Sequence, residues 1–432
     1  MIALALMACG DSMESTAALS PGAEWERSDS ADSGRPEGAT VELSMAEALE
    51  VPSDLSADHV GRRLTLGDLD GDGQPELLLS AGSALVLVDS LEGPVSEQPR
   101  VALADAGLLI QAVHAGDLDQ DGRDEVLLSA SGELDWGLTL LRDGELQSVD
   151  PPSCDEGVVC GHGVGLFELD QQAGAELVFT RAGLEASSVE VWPQAQREQA
   201  WSIGVEGPSA LGHREAMAAL DVDGDGLGDL VLGDHRRPGA SGGPSGTVEL
   251  VLGGASQDLL LPEDADASVD HTWADTNEGF GMAVDAVDLD GDGYAELISG
   301  SAEAEDGRGF VSAFSAQGHI TSRDALASYE GPEPDARVGY TVTTCADGDG
   351  AVVVAGTHGR LEGEAGVFVL EVDPGVSELQ PRLLHVLHED ALGIGELVCA
   401  PNVLGVEDHP LVSSADELHE LGGALLLRTS LE

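Results

Sequence analysis

The sequence predicts an all-β fold, a seven-bladed β-propeller built of four-stranded blades. Three observations predict it: an acidic nine-residue turn that recurs, a spacing between copies of about fifty residues, and short apolar runs flanking each copy. The turn first occurs as DLDGDGQPE at Asp68–Glu76 and runs straight into LLLS. Full copies follow at Asp117–Glu125 (DLDQDGRDE), Asp221–Asp229 (DVDGDGLGD) and Asp288–Glu296 (DLDGDGYAE). A degraded copy, ELDQQAGAE, lies at Glu168–Glu176 and a relic, CADGDG, at Cys345–Gly350. A seventh unit around Cys399 keeps the flanking pattern without the acids. The copies start at 68, 117, 168, 221, 288, 345 and about 399, in steps of about 50 to 67 residues, a period that signals repeat architecture.

Each unit reads as strand, acidic loop, strand, Gly-rich turn, strand and looser strand. The fifth shows it well: GMAVDAV, the loop, AELISG, EDGRG, then FVSAF. Runs of four to seven residues with Gly-rich turns and no 3.6-residue period argue strands throughout. Four strands per unit of this length make one propeller blade. The last unit stops at Glu432 after its third strand, while Thr40–Ser44 (TVELS) is a strand without an assigned partner. It is expected to complete the final blade and remove an open edge. Hydrophobic residues are 42% and aromatics only 3%, which predicts a core of Leu, Val and Ala rather than large rings.

Phe280-Gly281, the loop Asp288–Glu296, Ser299-Gly300-Ser301-Ala302 and Gly307-Arg308-Gly309 together resemble an FG-GAP repeat, the blade unit of integrin α-subunit propellers and of many bacterial surface proteins. The repeat period covers about 60 to 432. The resemblance implies ring closure by the N-terminal strand and a recognition rim opposite the acidic loops.

Carboxylates at loop positions 1, 3 and 5 converge because alternate side chains project inward, and Gly at position 6 turns the carbonyl of position 7 toward the same point. An acid at position 9 completes the shell of hard oxygens that Ca²⁺ prefers. The expected ligands are Asp68, Asp70, Asp72, Gln74 and Glu76; Asp117, Asp119, Asp121, Arg123 and Glu125; Asp221, Asp223, Asp225, Leu227 and Asp229; and Asp288, Asp290, Asp292, Tyr294 and Glu296. Gln74, Arg123, Leu227 and Tyr294 would contribute backbone carbonyls. An EF-hand needs its closing Glu at position 12 and a helix after it; position 12 here is Leu79, Leu128, Leu232 or Ser299, inside β-like runs. Carboxylates ~4 Å apart repel by roughly 4 kcal/mol per pair at an effective dielectric near 20, so four such loops call for a cation. In the degraded copy around Asp170, Gln172 and Ala173 remove a charge and the turn glycine. In the sixth, Cys345 and Val353 replace the first and last ligands, so no calcium is expected there.

Formal charge is −63 with no lysine, a field that repels phosphate backbones and excludes nucleic acid as a partner. Residues 1–9 are expected to be an export signal: Ile2–Ala8 is apolar, and Leu6-Met7-Ala8-Cys9 resembles the bacterial lipobox, which would lipidate Cys9 and tether the protein to a membrane. Residues 10–38, rich in Ser, Gly, Pro and acids, read as a flexible acidic tether, and 39–432 as the propeller. The remaining Cys154, Cys160, Cys345 and Cys399 allow three connectivities; Cys154–Cys160 with Cys345–Cys399 is expected, the latter pair occupying equivalent positions in neighbouring units.

No catalytic constellation stands out. Gly239-Ala-Ser-Gly-Gly243 fits the nucleophile-elbow spacing but lies in a turn-rich insert, and His388-Glu389 lacks a second zinc-binding histidine. His162, His213, His235, His271 and His358 read as surface residues. The sequence therefore favours a monomeric, calcium-stabilised binding or adhesion module at the cell surface, on the outer membrane or in the periplasm, with a protein or glycan ligand. The alternatives are an extracytoplasmic hydrolase using the funnel and a purely structural envelope component. Inserts Asp234–Gly246 and Pro262–Gly279, the second carrying Trp273, are the candidate ligand loops; Trp192 and Trp201 fit either a ligand or a core role.

Overall fold

In a computed structural model, almost every element among the described residues is a strand, and these strands gather into seven predominantly antiparallel sheets. The structure describes residues 42–44, 60–88, 100–105, 108–131, 136–151, 153–154, 157–213, 216–238, 245–271, 279–289, 291–347, 350–358, 366–372, 379–386, 396–399, 408–414 and 424–430. The lipobox-like segment with Cys9, the tether and Trp273 lie outside them. The chain divides into two units, residues 1–39 and 40–432.

The first sheet is Val60–Gly67, Glu76–Ala81, Ala84–Val88 and Arg100–Asp105. The second is Leu109–Gly116, Glu125–Ser131, Trp136–Arg142 and Glu145–Val149. The third holds Val159–Phe167, Glu176–Ala182, Ala186–Pro193 and Trp201–Glu206. The fourth holds Met217–Leu220, Asp229–Asp234, Thr247–Val251 and Ala267–Asp270. The fifth is Phe280–Val287, Glu296–Ser301, Phe310–Ser315 and Ala327–Glu330, and the sixth Val338–Asp347, Gly350–Thr357, Gly366–Val372 and Leu379–Val386. The seventh is Glu396–Cys399, Asp408–Ser414 and Ala424–Ser430, with Glu42–Ser44 from the other end of the chain as its fourth strand. There Leu43 pairs with Thr429 in antiparallel register, the pairing expected for Thr40–Ser44.

Two sheets carry a fifth strand that the repeat pattern does not announce. Leu259–Leu261, from the connection inside the fourth sheet, runs parallel to Trp201–Glu206 of the third. Gly318–Thr321, from the fifth sheet, runs parallel to Ala267–Asp270 of the fourth. Each sheet thus borrows an edge from its successor.

Successive sheets pack face to face through mostly aliphatic side chains. Leu78 and Leu85 meet Ile110 and Val126; Leu127 and Leu138 meet Val164 and Leu177; Val189 and Ile203 meet Leu230 and Leu232. Val231 and Val248 meet Val284 and Leu297, and Ile298 and Val311 meet Val342 and Val353. The scarce rings are not excluded from this core: Phe179, Phe314 and Phe368 are among its largest fully buried side chains, and Trp192 and Trp201 are buried with them. A ring fills in one step the widening gap between two sheets that aliphatic side chains fill piecemeal. Glu396–Cys399 lies beside both Val338–Asp347 and Val60–Gly67. One cavity of about 290 Å³ is lined by a residue from the first strand of every sheet: Thr65, Val113, Val164, Ala218, Asp285, Thr343 and Val398.

The crowding of first strands dictates small residues. A Cβ on Gly67 would come within 2.5 Å of the Ala115 Cβ. Gly281, the glycine of Phe280-Gly281, takes φ +74° at a register shift between Phe280 and Ala283. The same shift follows Val60-Gly61, Cys160-Gly161 and Val338-Gly339. At these four positions the first residue varies and the glycine is kept, whereas the second sheet's shift, between Ile110 and Ala112, holds Gln111 instead.

Both expected disulfides are present. Cys154 and Cys160 are joined with Cα atoms 6.2 Å apart, and Cys345 and Cys399 with Cα atoms 5.6 Å apart, linking the first strands of the sixth and seventh sheets.

A chain beginning at residue 50 leaves Ala424–Ser430 as an unpaired edge. Relative to a chain beginning at residue 40, it is expected to melt a few degrees lower and to aggregate on concentration, read by scanning fluorimetry and light scattering.

Candidate metal centre

Each acidic loop joins the first and second strands of its sheet, so all of them lie at one end of the strands. Their shape follows from one carboxylate. Asp68 accepts the amides of Gly71, Asp72 and Gly73 at 2.7, 3.1 and 2.8 Å. Asp221 takes Gly224, Asp225 and Gly226 at 2.8, 3.0 and 2.9 Å. Asp288 takes Gly291, Asp292 and Gly293 at 2.7, 3.2 and 2.9 Å, and Asp117 takes Asp121 and Gly122 at 3.2 and 3.0 Å. The amide at position 7 donates to the acid at position 5: Gln74 to Asp72, Arg123 to Asp121, Leu227 to Asp225 and Tyr294 to Asp292. The acid at position 9 reaches back to the amide at position 2. Leu69 donates to Glu76, Leu118 to Glu125, Val222 to Asp229 and Leu289 to Glu296, at 2.7 to 2.9 Å.

These folds bring carboxylates together, with differences between loops. Ligand oxygens of Asp68, Asp70 and Glu76 lie within 4.8 Å of one another, as do those of Asp117, Asp119 and Glu125. In the fourth repeat the converging set is Asp221, Asp223 and Asp225. Asp229 is not in that set: one methylene shorter than Glu, it is buried with both oxygens engaged, by Val222 and Gly253 amides, each at 2.7 Å. Asp290 lies outside the described residues.

The second loop contains a cation the sequence reading missed. Arg142, from the third strand of the same sheet, forms an ion pair with Asp119 and another, at 3.3 Å, with Glu125. It stands 17 residues beyond Glu125, so only the strand register reveals the contact. In the degraded third loop Gln172 does similar work: its backbone and side-chain amides cover both oxygens of Asp170 at 2.6 and 2.8 Å. Glu176 there keeps its bond from Leu169 at 2.6 Å, but its Oε1 is buried without a hydrogen-bond partner.

The loops are also bonded to each other. The amide at position 8 of one loop donates to the start of the preceding loop: Asp124 to the Asp68 carbonyl, Ala175 to Asp117, Gly228 to Glu168 and Ala295 to Val222, at 2.8, 3.2, 2.7 and 3.0 Å. Asp124 doubles the first joint, its carboxylate accepting the Asp68 amide at 2.8 Å. Position 8 holds Asp, Ala, Gly and Ala in turn, so no side-chain pattern marks it.

The electrostatics are those of crowded acids. Burial, with the neighbouring charges of Asp70, Asp68 and Asp72, pushes the Glu76 carboxyl up to about 7. Burial likewise raises Glu125, Asp229 and Asp124. An all-oxygen set of carboxylates fits a hard divalent cation, which favours the ionised forms that burial opposes.

Several histidines are not the surface residues expected. His162 and His213 make a ring-nitrogen contact at 3.0 Å, His358 stacks on Tyr340, and His271 is buried against Phe280.

Residues 68–128 match the FG-GAP-like repeat and residues 280–314 the FG-GAP repeat. The chain therefore carries FG-GAP repeats in an all-β fold. No curated protein matches it. Among solved structures it is similar to the exotype rhamnogalacturonan lyase YesX, at 14% identity and a TM-score of 0.45, over 92% of this chain and 73% of that one.

Two outcomes follow. Arg142→Ala is expected to raise the calcium affinity of the second loop about five-fold, the equivalent of about 1 kcal/mol of competing ion pair, measured by titration calorimetry. An unchanged affinity would show that Arg142 does not compete. Burial raises Glu176 from 4.5 to about 7, so in chelator the wild type loses stability as pH rises through that window, while Glu176→Gln does not. The variant should melt higher at pH 8 and equally at pH 4, and the reverse order would refute the assignment.

Proposed function

We propose that this chain is a seven-bladed β-propeller stapled by calcium at its acidic loops, exported and lipid-anchored through Cys9, and acting as a monomeric binding or adhesion module for a protein or glycan. The observation that carries the reading is the row of acidic loops, joined loop to loop at one end of the sheets. Support for the ring comes from the seventh sheet lying beside both the sixth and the first, and from the cavity that all seven first strands share. Calcium would be held by Asp68, Asp70 and Glu76, by Asp117, Asp119 and Glu125, and by Asp221, Asp223 and Asp225, with the Asp288 loop as the fourth site. Bound there, the ion supplies charge neutralisation; the residues supply the fixed geometry.

With the loops committed to the scaffold, the opposite ends of the strands are left for recognition. Connections Asp234–Gly246 and 271–279 emerge there. Binding is favoured over hydrolysis by the shared cavity. Among the described residues Asp285 is the carboxylate in its lining, and both its oxygens are occupied, by the Ala286 amide at 2.8 Å and the Thr344 amide at 2.7 Å. Glycoside hydrolysis uses a pair of carboxyl groups. His114 in the same wall is pushed down to about 4 by burial and is neutral, its Nδ1 accepting the Leu166 amide at 3.2 Å.

At roughly ten times the dissociation constant each ion contributes about 1.4 kcal/mol. Chelation is therefore expected to lower the melting temperature by on the order of ten degrees across four sites; a melting curve indifferent to EDTA refutes structural calcium. A glycan and protein array probed with and without calcium tests the ligand role. Capture that vanishes in chelator is the expected result, and polymer turnover without capture would overturn it.

A further inference from the structure

At the far end of the fourth sheet from its acidic loop, a second group of acids is built into the interior. Asp234 stands opposite Thr247, and Thr247 opposite Asp270; in the next row of that face Leu232 stands opposite Glu249, and Glu249 opposite Ser268. Directly paired residues, and residues two apart on a strand, share one face. Leu232 packs against Val189 and Ile203, so this face looks toward the third sheet. Asp234 and Glu249 are each only 1% exposed and Thr247 5%.

Each buried acid is half satisfied. Asp234 Oδ1 accepts the Ala210 amide at 2.7 Å and the Arg236 amide at 3.3 Å, and Glu249 Oε1 accepts the Thr247 hydroxyl at 3.0 Å. Asp234 Oδ2 and Glu249 Oε2 are buried with no hydrogen-bond partner. The two carboxylates feel each other, and Glu249 also feels Asp270; Arg237 is the cation that acts on both. Three carboxylates against one guanidinium leave an excess of two negative charges. One proton shared between the two open oxygens would satisfy both, but it would still leave an excess of one negative charge. Water would bring hydrogen bonds but no charge. One divalent ion answers both open oxygens and the excess charge.

We propose that Asp234 and Glu249 hold a hard divalent cation between the third and fourth sheets, with the Thr247 hydroxyl beside it, at a site separate from the acidic loops. Side chains buried to this degree are out of reach of a sugar. The site clamps the end of the sheets from which connections Asp234–Gly246 and 271–279 emerge.

Crystals of the full chain soaked in manganese chloride should show an anomalous peak between Asp234 and Glu249, besides any at the loops. In solution, Asp234→Asn/Glu249→Gln should bind one calcium ion fewer per chain than wild type in equilibrium dialysis, with the loop ions retained. In EDTA, Glu249→Gln should melt higher than wild type and gain less on calcium addition. No peak at this position, or an unchanged ion count in a folded double variant, overturns the proposal. Loss of loop ions alone would bear on the loops and leave this site standing.

Discussion

The backbone joint between successive acidic loops is the constraint on which the rest depends. The first carboxylate of a loop gathers the amides of the turn beneath it and so fixes the turn's shape. In that shape the loop's opening residues present a carbonyl that the next loop's position-8 amide meets. Sheet is thereby tied to sheet at the loop end of the first strands, and the close approach of neighbouring first strands there leaves no room for a Cβ at Gly67. The device that shapes the loop also crowds negative charge, so every joint carries an electrostatic problem.

The repeats answer that problem differently. Where the acids converge with no arginine ion pair among the described residues, as around Asp68, an ion is the proposed answer. Arg142 brings a guanidinium to the second loop. The third loop sheds a charge and covers Asp170 with Gln172. The sixth repeat replaces its first and last acids by Cys345 and Val353, the seventh lacks the acidic loop, and the two sheets are cross-linked by Cys345–Cys399. Degradation of the motif is thus replacement of one kind of fastening by another, and the fold tolerates the mixture because the joint itself is backbone to backbone.

Much of this was legible in the chain because period and loop chemistry are written in side chains. The spacing of aspartates located the loops, and the unpartnered TVELS located the strand that pairs with Ala424–Ser430. The cysteines could be paired because 345 and 399 fall at equivalent points of adjacent units. The illegible features are those that live in register or in the main chain. Arg142 meets Glu125 only after a hairpin aligns them. The borrowed edges Leu259–Leu261 and Gly318–Thr321 are too short to show alternation. Asp234 opens an insert in the sequence and Glu249 carries no signal there; their meeting on one face needed the pairing of Asp234 with Thr247. Phe280-Gly281 marks a bulge that Val60-Gly61, Cys160-Gly161 and Val338-Gly339 share without the Phe.

Those borrowed edges bear on how such a chain can change over generations. Because Leu259–Leu261 completes the third sheet and Gly318–Thr321 the fourth, the middle repeats are not interchangeable beads. Deleting or duplicating any one of them at the genetic level strips a neighbour of its border or supplies one too many. Growth and shrinkage by whole units are therefore confined to the repeats outside this interlocked trio.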